Sequence, residues 1–106
     1  MAKFLIEAVY TVEGAKGLAR DGGTGRRAAI SAMIEGLGGK LEAFYYCFGE
    51  ADCIIIADLP DNAAAAAVAI AVGAAGGASL KTTVLLSPEE VDAAGKRSVN
   101  YRKPGG

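Results

Sequence analysis

The segment from Asp52 to Leu59 constrains the fold more than any other part of the sequence. It contains the near-continuous apolar run CIIIADL. A strand with one face in water alternates apolar and polar side chains, whereas a continuous apolar run is typical of a strand buried on both faces. We therefore expect both sides of this strand to be covered.

The rest of the chain alternates between predicted strands and predicted helices. Three further segments have the apolar, β-branched and aromatic content of strands: Lys3–Tyr10, Leu41–Phe48 and Ser79–Leu86. Apolar spacing and capping residues predict helical segments at 11–18, 26–37, 63–75 and 88–94. A glycine-rich stretch from Asp21 to Gly25 is expected to separate the first two helical segments, because glycines concentrate where helices stop.

The resulting order, β-α-β-β-α-β, predicts an α+β domain of the ferredoxin-like type. Such a domain has an antiparallel four-stranded sheet with both helices on one face. Residues 1–94 are predicted to form this single domain, and residues 95–106 a basic tail without apolar periodicity. A tail this short is expected to lie along a partner subunit rather than to bind RNA or an acidic surface.

The predicted sheet is apolar on both faces. In the first strand Phe4, Ile6, Ala8 and Tyr10 share one face, and Leu5 and Val9 lie on the other. In the second, Leu41, Ala43, Tyr45 and Cys47 oppose Phe44, Tyr46 and Phe48. Because the helices cover only one face, the other would expose an apolar patch too large for a soluble monomer. Two sheets packed face to face across a two-fold axis would cover it, so we predict a homodimer or higher oligomer that forms a dimeric α/β barrel.

Composition excludes several classes of function. The chain has no histidine, which removes the usual general base and the commonest metal ligand, so neither a metal site nor a cofactor is predicted. A net charge of −1 argues against a nucleic-acid partner. The Ala-rich stretch is too short for a membrane span, and no secretory signal is recognisable. With only two cysteines, Cys47 and Cys53, the expected protein is cytoplasmic.

The sharpest local anomaly is the glycine-rich stretch followed by two arginines. Helix N-termini favour acidic side chains, yet Arg26 and Arg27 stand at this one. Backbone N–H groups, glycine and arginine together suit a phosphate or carboxylate. The candidate anion site comprises Gly22, Gly23, Thr24, Arg26 and Arg27. The alternative is a pair of solvated arginines with Asp21 or Glu35 as surface partners. P-loop and dinucleotide patterns are absent, so a nucleotide is not predicted.

Candidates for a catalytic role are few. Glu7 interrupts an apolar strand, and Lys81 lies in the strand expected beside it. A carboxylate in an apolar cavity can act as a base, with Tyr10, Tyr45 and Tyr46 as hydroxyl donors. The alternative is a structural Glu7–Lys81 pair across the strands with the tyrosines as packing residues. Asp52 is expected to hydrogen-bond the backbone of the hairpin turn rather than to take part in catalysis.

Several stretches resemble the GYD domain family. The run FYYCFGEADCIIIADLPD, from Phe44 to Asp61, is similar to the signature stretch of that family. The segments YTVEGAKGL, GGTGRRAAI, LGGKLEAFYY and KTTVLLSPEE extend the resemblance over roughly Lys3 to Glu90. Ala51 stands where the tyrosine of the Gly-Tyr-Asp motif is usual. The resemblance implies a dimeric α/β barrel, in a superfamily that includes cofactor-independent monooxygenases, haem-handling enzymes, isomerases and ligand-sensing domains.

Three functions remain open at this stage. The leading hypothesis is a protein that binds or senses a small organic molecule, because the residues show neither a nucleophile–base pair nor a metal constellation. The second is a cofactor-independent oxygenase or isomerase acting on a small organic substrate. The third is a purely structural oligomer without a ligand. The volume of a pocket separates the third from the others, and turnover of a bound compound separates the first two.

Overall fold

Four strands and three helices follow one another in the computed structural model, which describes residues 1–106. They are β1 (Ala2–Tyr10), α1 (Val12–Gly36), β2 (Lys40–Tyr46), β3 (Cys53–Leu59), α2 (Asn62–Ala75), β4 (Ala78–Leu85) and α3 (Pro88–Gly95). All neighbouring strands are antiparallel, in the order β2-β3-β1-β4. The predicted ferredoxin-like α+β fold is thereby confirmed, and apart from α1 the bounds of the elements differ from those predicted by one or two residues.

The core lies between the sheet and the helices α1 and α2. Its buried members are Phe4, Ile6, Ala8, Ile34, Cys53, Ile55, Ala57, Leu59, Ala65, Val68 and Ala78. Alternate residues of β1 and β3 supply seven of these, because successive side chains in a strand point to opposite faces. The predicted division of β1 between two faces is confirmed, and β3 is apolar on both.

A β-bulge in β2 corrects the predicted facing of that strand. Leu41 pairs with Ala57 and Ala43 pairs with Ile56, which leaves Glu42 without an opposite residue. An extra residue shifts the alternation by one, so Leu41 lies on the helix side of the sheet together with Phe44. The sequence-based assignment of Leu41 to the side of Ala43 and Tyr45 was therefore wrong.

Helix α1 bends at one residue instead of being interrupted by a loop. Only Gly22, with φ 76° and ψ 163°, departs from helical backbone between Val12 and Gly36. Backbone of this kind is essentially confined to glycine. The predicted break from Asp21 to Gly25 thus contains the observed bend, but only Gly22 leaves the helical conformation.

The start of α1 is joined closely to the turn between α2 and β4. The Thr11 side chain caps α1 by accepting from the Gly14 N–H, and its hydroxyl donates to the Gly76 carbonyl at 2.7 Å. The Thr11 N–H donates to the Gly77 carbonyl at 3.0 Å. A Cβ added at Gly14 would stand 1.8 Å from that Gly77 oxygen. This junction therefore requires glycine at position 14, because a larger residue would clash with the Gly77 carbonyl.

Two parts of the molecule lie outside the core. The uncovered face of the sheet carries Leu5, Val9, Ala43, Tyr45, Ile54 and Ile56, and no helix packs on it. All residues from Glu89 to the C-terminus are exposed, and the molecule extends over 57 × 32 × 23 Å. Helix α3 begins with a capping box formed by Ser87 and Glu90. No helix has the length and apolar character that crossing a membrane requires.

Candidate functional site

An apolar cavity of about 70 Å³ lies between the sheet and the two helices that cover it. Of its 14 lining residues, 13 are hydrophobic, and the exception is Arg26. The walls include Ile6 from β1, Ile30 and Met33 from α1, and Phe44 from β2. The kink in α1 places Arg26 in the wall, since this residue lies one turn beyond Gly22.

The Arg26 side chain is the only charged group at this cavity. It is partly buried, with 35% of its surface exposed, and its Nη1 atom lies 3.6 Å from Oδ2 of Asp21. That distance is longer than a hydrogen bond, and the guanidinium makes none within the chain. The five N–H donors of Arg26 therefore remain available to a bound molecule.

Tyr10 and Cys53 line the cavity together with Arg26, and Tyr46 lies next to them outside the lining. Tyr10 ends β1 and Tyr46 ends β2, and Cys53 lies opposite both Tyr46 and Ala8 in the sheet. The Tyr46 hydroxyl donates to the Gly23 carbonyl at 3.0 Å. We call Tyr10, Arg26, Tyr46 and Cys53 the rim cluster.

Burial keeps the acidic members of the rim cluster protonated. Loss of solvation, followed by the neighbouring Cys53 and Tyr46, raises the pKa of Tyr10 to about 12. Burial likewise raises the pKa of the Cys53 thiol to about 11, with Cys47 as the second cause. The pKa of Tyr46 is raised for the same reason. At neutral pH these groups are therefore hydrogen-bond donors and not bases or nucleophiles.

Asp52 is hydrogen-bonded to the end of β1 that carries Tyr10. Its Oδ2 atom accepts a hydrogen bond of 2.9 Å from the Tyr10 N–H, and its own N–H donates to the Ala8 carbonyl at 2.9 Å. Both contacts join the hairpin to β1. The Asp52 carbonyl accepts a hydrogen bond of 3.0 Å from the Cys47 N–H across the hairpin turn, whereas its side chain bonds the Tyr10 N–H at the end of β1 instead of the turn.

Glu7 and Lys81 are not part of this arrangement. They lie directly opposite each other in β1 and β4, as the predicted cross-strand relation requires. Both belong to the side of the sheet that no helix covers, since Glu7 alternates with the cavity residues Ile6 and Ala8. The sheet separates this carboxylate from the hydroxyls of Tyr10 and Tyr46, and of the three candidate tyrosines only Tyr45 lies on its side.

The residues of the candidate anion site divide between two places. Arg26 lines the apolar cavity, whereas Gly23, Thr24 and Arg27 line a shallow groove next to Tyr45 and Tyr46. The two arginines thus do not converge on one point. Anion binding at the α1 kink stays a prediction, and the geometry favours Arg26 over Arg27 as the residue that meets a molecule in the cavity.

Sequence reasoning identified Tyr10, Tyr46 and Arg26 separately but did not bring them together. It did not include Cys53 among the candidate site residues. The signal was the distance of Tyr46 and Cys53 from the middle of the hairpin turn: with six residues between them, they can pair across it.

The family comparison adds one finding to this geometry. The family model described as GYD domain matches residues 4–94, a range that includes all four members of the rim cluster and nearly all of the regular structure. No curated protein and no solved structure matches the chain.

Proposed function

The chain belongs to the GYD domain family, and from this premise we propose that it binds a small organic molecule in the cavity beside the rim cluster. In this proposal the chain acts as a homodimer whose sheets pack face to face into an α/β barrel. The observation that carries the proposal is a largely apolar cavity with a few convergent polar groups at one end, which is the usual composition of a ligand site.

Binding or sensing is favoured over catalysis by the protonation state of the rim cluster. A base or nucleophile must be able to give up its proton near neutral pH, and the pKa values of Tyr10 and Cys53 are raised to about 12 and about 11. Arg26 is a permanent cation. These groups orient a ligand well and accept protons poorly, so the oxygenase or isomerase hypothesis takes second place.

The dimer is supported by the uncovered face. Leu5 and Ile56 are directly paired at its middle, and Ile56 is also opposite Ala43. Tyr45 and Val9 on the same face are 71% and 43% exposed. Glu7 and Lys81 also lie on this face, but the apolar residues at its middle are costly in water, and a second copy of the sheet would remove them from solvent.

A cytoplasmic location is part of the proposal. Cys47 and Cys53 are both free thiols, as is usual in a reducing compartment.

The proposal is tested by native mass spectrometry of the purified protein, together with a variant whose cavity is filled. Val72 lines the cavity, and Ile70 on the same helix is 72% exposed. A dimer that carries a non-covalent adduct, lost in Val72→Phe and retained in Ile70→Phe, is the expected result. A dimer without adduct, unaltered by small-molecule additions, would favour the structural oligomer. A monomer would contradict the barrel.

A further inference from the structure

We infer that the cavity selects a small monocarboxylate, with its short apolar body between the sheet and the helices and its carboxylate on Arg26. The inference rests on the proposed function and narrows it to one class of ligand. It follows from the position of one guanidinium, without a hydrogen-bond partner in the chain and 3.6 Å from Asp21, in the wall of an otherwise hydrophobic cavity.

The charge of the ligand follows from Arg26. Its guanidinium is partly withdrawn from water and makes no hydrogen bond within the chain, while Asp21 lies 3.6 Å away. A guanidinium presents a planar fork that matches the two oxygens of a carboxylate, and such charge-assisted bonds are roughly twice as strong as neutral ones. An anion in the cavity mouth would thus gain an interaction that a neutral molecule of the same shape would lack.

The neighbours of Arg26 indicate how many negative charges the ligand carries. No second cation lines the cavity, and Arg27 faces the other groove. The nearby Asp21 carboxylate repels anions. One cation with one acidic neighbour suits a single negative charge better than a phosphate dianion. The Tyr10 hydroxyl, which also lines the cavity, supplies a neutral donor beside the guanidinium.

The size of the apolar body follows from the cavity. Its volume of about 70 Å³ is roughly half that of an engineered apolar cavity of about 150 Å³ that binds benzene. A branched chain of about three or four carbon atoms is of suitable size on that comparison. Short branched carboxylates therefore fit better than aromatic ones, which would have to displace Ile30 or Met33.

Isovalerate and its neutral amide, isovaleramide, are the matched probes for this inference. The two have the same apolar body and differ in charge. Titrations followed by NMR of the cavity methyl groups should give a dissociation constant on the order of millimolar for isovalerate, as expected for so small a ligand. Isovaleramide should bind roughly tenfold more weakly, and benzoate and inorganic phosphate should be weaker than isovalerate.

Three variants assign the effect to Arg26. Arg26→Met keeps most of the side-chain volume and should abolish the preference for isovalerate over isovaleramide, whereas Arg27→Met should leave it intact. Asp21→Asn removes the competing carboxylate and should strengthen isovalerate binding severalfold without changing isovaleramide binding. A gain of affinity in Asp21→Asn cannot result from misfolding, so it guards against that explanation of the loss in Arg26→Met.

The outcomes separate this inference from the proposed function. If isovaleramide shifts the cavity resonances as strongly as isovalerate, the cavity binds ligands but the carboxylate preference is overturned. If Arg27→Met abolishes the preference and Arg26→Met does not, the inference is also overturned in favour of the groove at Thr24. If none of the probes shifts the cavity resonances at millimolar concentration, the inference is overturned, and the adduct sought by native mass spectrometry alone decides the proposed binding function.

Discussion

The hydroxyl of Tyr46 donates a hydrogen bond of 3.0 Å to the carbonyl of Gly23, the residue after the kink of α1. A Cβ at Gly23 would stand 3.1 Å from the Tyr46 ring, so the ring lies directly against the helix backbone. This contact holds the end of β2 against α1 where α1 changes direction. Arg26 follows one turn later, and its position at the cavity depends on that bend.

The first prediction concerns the kink itself. Gly22→Ala forces an alanine into φ 76°, ψ 163°, a conformation that costs an L-residue roughly 1–3 kcal/mol. We expect the free energy of unfolding to fall by about that amount, measured by urea denaturation. Gly25→Ala is the control, because Gly25 is helical and a Cβ there makes only ordinary contact with Asp21. Equal stability of the two variants would mean that the backbone at Gly22 does not keep this conformation in solution.

The second prediction concerns the junction between Thr11 and Gly77. Gly14→Ala would place a Cβ 1.8 Å from the Gly77 oxygen and 2.8 Å from its carbon, and backbone atoms cannot yield as a flexible side chain can. We expect a loss of about 2 kcal/mol or more. Gly17→Ala, three residues along the same helix with open space around it, should be stabilised by about 0.5–1 kcal/mol. Thermal unfolding measures both, and a stable Gly14→Ala would contradict the close approach.

Local sequence patterns were enough to predict the strands and helices of this fold. The candidate site, in contrast, depends on how strands distant in sequence pair with one another. Alternation in β1 and the continuous run in β3 were enough to predict the sheet and its two apolar faces. No local pattern marks Glu42 as the extra residue of a bulge, because a bulge is defined by the partner strand. The rim cluster escaped prediction for a similar reason: Tyr10 and Arg26 meet Tyr46 and Cys53 only through strand pairing and the bend at Gly22.

The third prediction concerns alkaline pH. The folded protein holds the Tyr10 proton up to a pKa of about 12, against 10.0 in an unfolded chain. The unfolded chain therefore loses this proton first, and the associated stability is complete below pH 10 and is lost as the pH rises through about 12. The urea-unfolding midpoint of Tyr10→Phe should therefore fall less steeply with rising pH than that of the wild type. Tyr101→Phe, in the exposed C-terminal tail, is the control and should leave the decline unchanged.

The fourth prediction concerns the two thiols. The pKa of Cys53 is raised to about 11, so its thiolate is about a hundredfold scarcer than that of an unperturbed thiol, and the side chain is buried. Iodoacetamide should therefore modify Cys47 well before Cys53, as measured by peptide mass spectrometry. Cys47→Ser should leave a protein that reacts only slowly, and prior labelling of Cys53 would contradict the protected cavity.

The fifth prediction concerns assembly. Ile56 lies at the middle of the uncovered face, between Leu5 and Ala43. Ile56→Asp would place a charge in the proposed dimer interface and should shift the protein from dimer to monomer in light-scattering measurements. Ile70→Asp makes the same chemical change at an exposed site on α2 and should remain dimeric. An Ile56→Asp protein with the mass of the wild type would exclude the face-to-face arrangement.

The strand β3 presents Cys53, Ile55 and Ala57 to the helix side and Ile54 and Ile56 to the uncovered face. The pleat is a rigid link between these two sets, because neighbouring side chains share one backbone. A ligand in the cavity that pushes Ile55 by a fraction of an ångström would also displace Ile54 and Ile56. These two residues lie on the surface where the second subunit of the proposed dimer would bind. In the proposed dimer, occupancy of the cavity and affinity between subunits would then be thermodynamically coupled, and each would alter the other by the same factor.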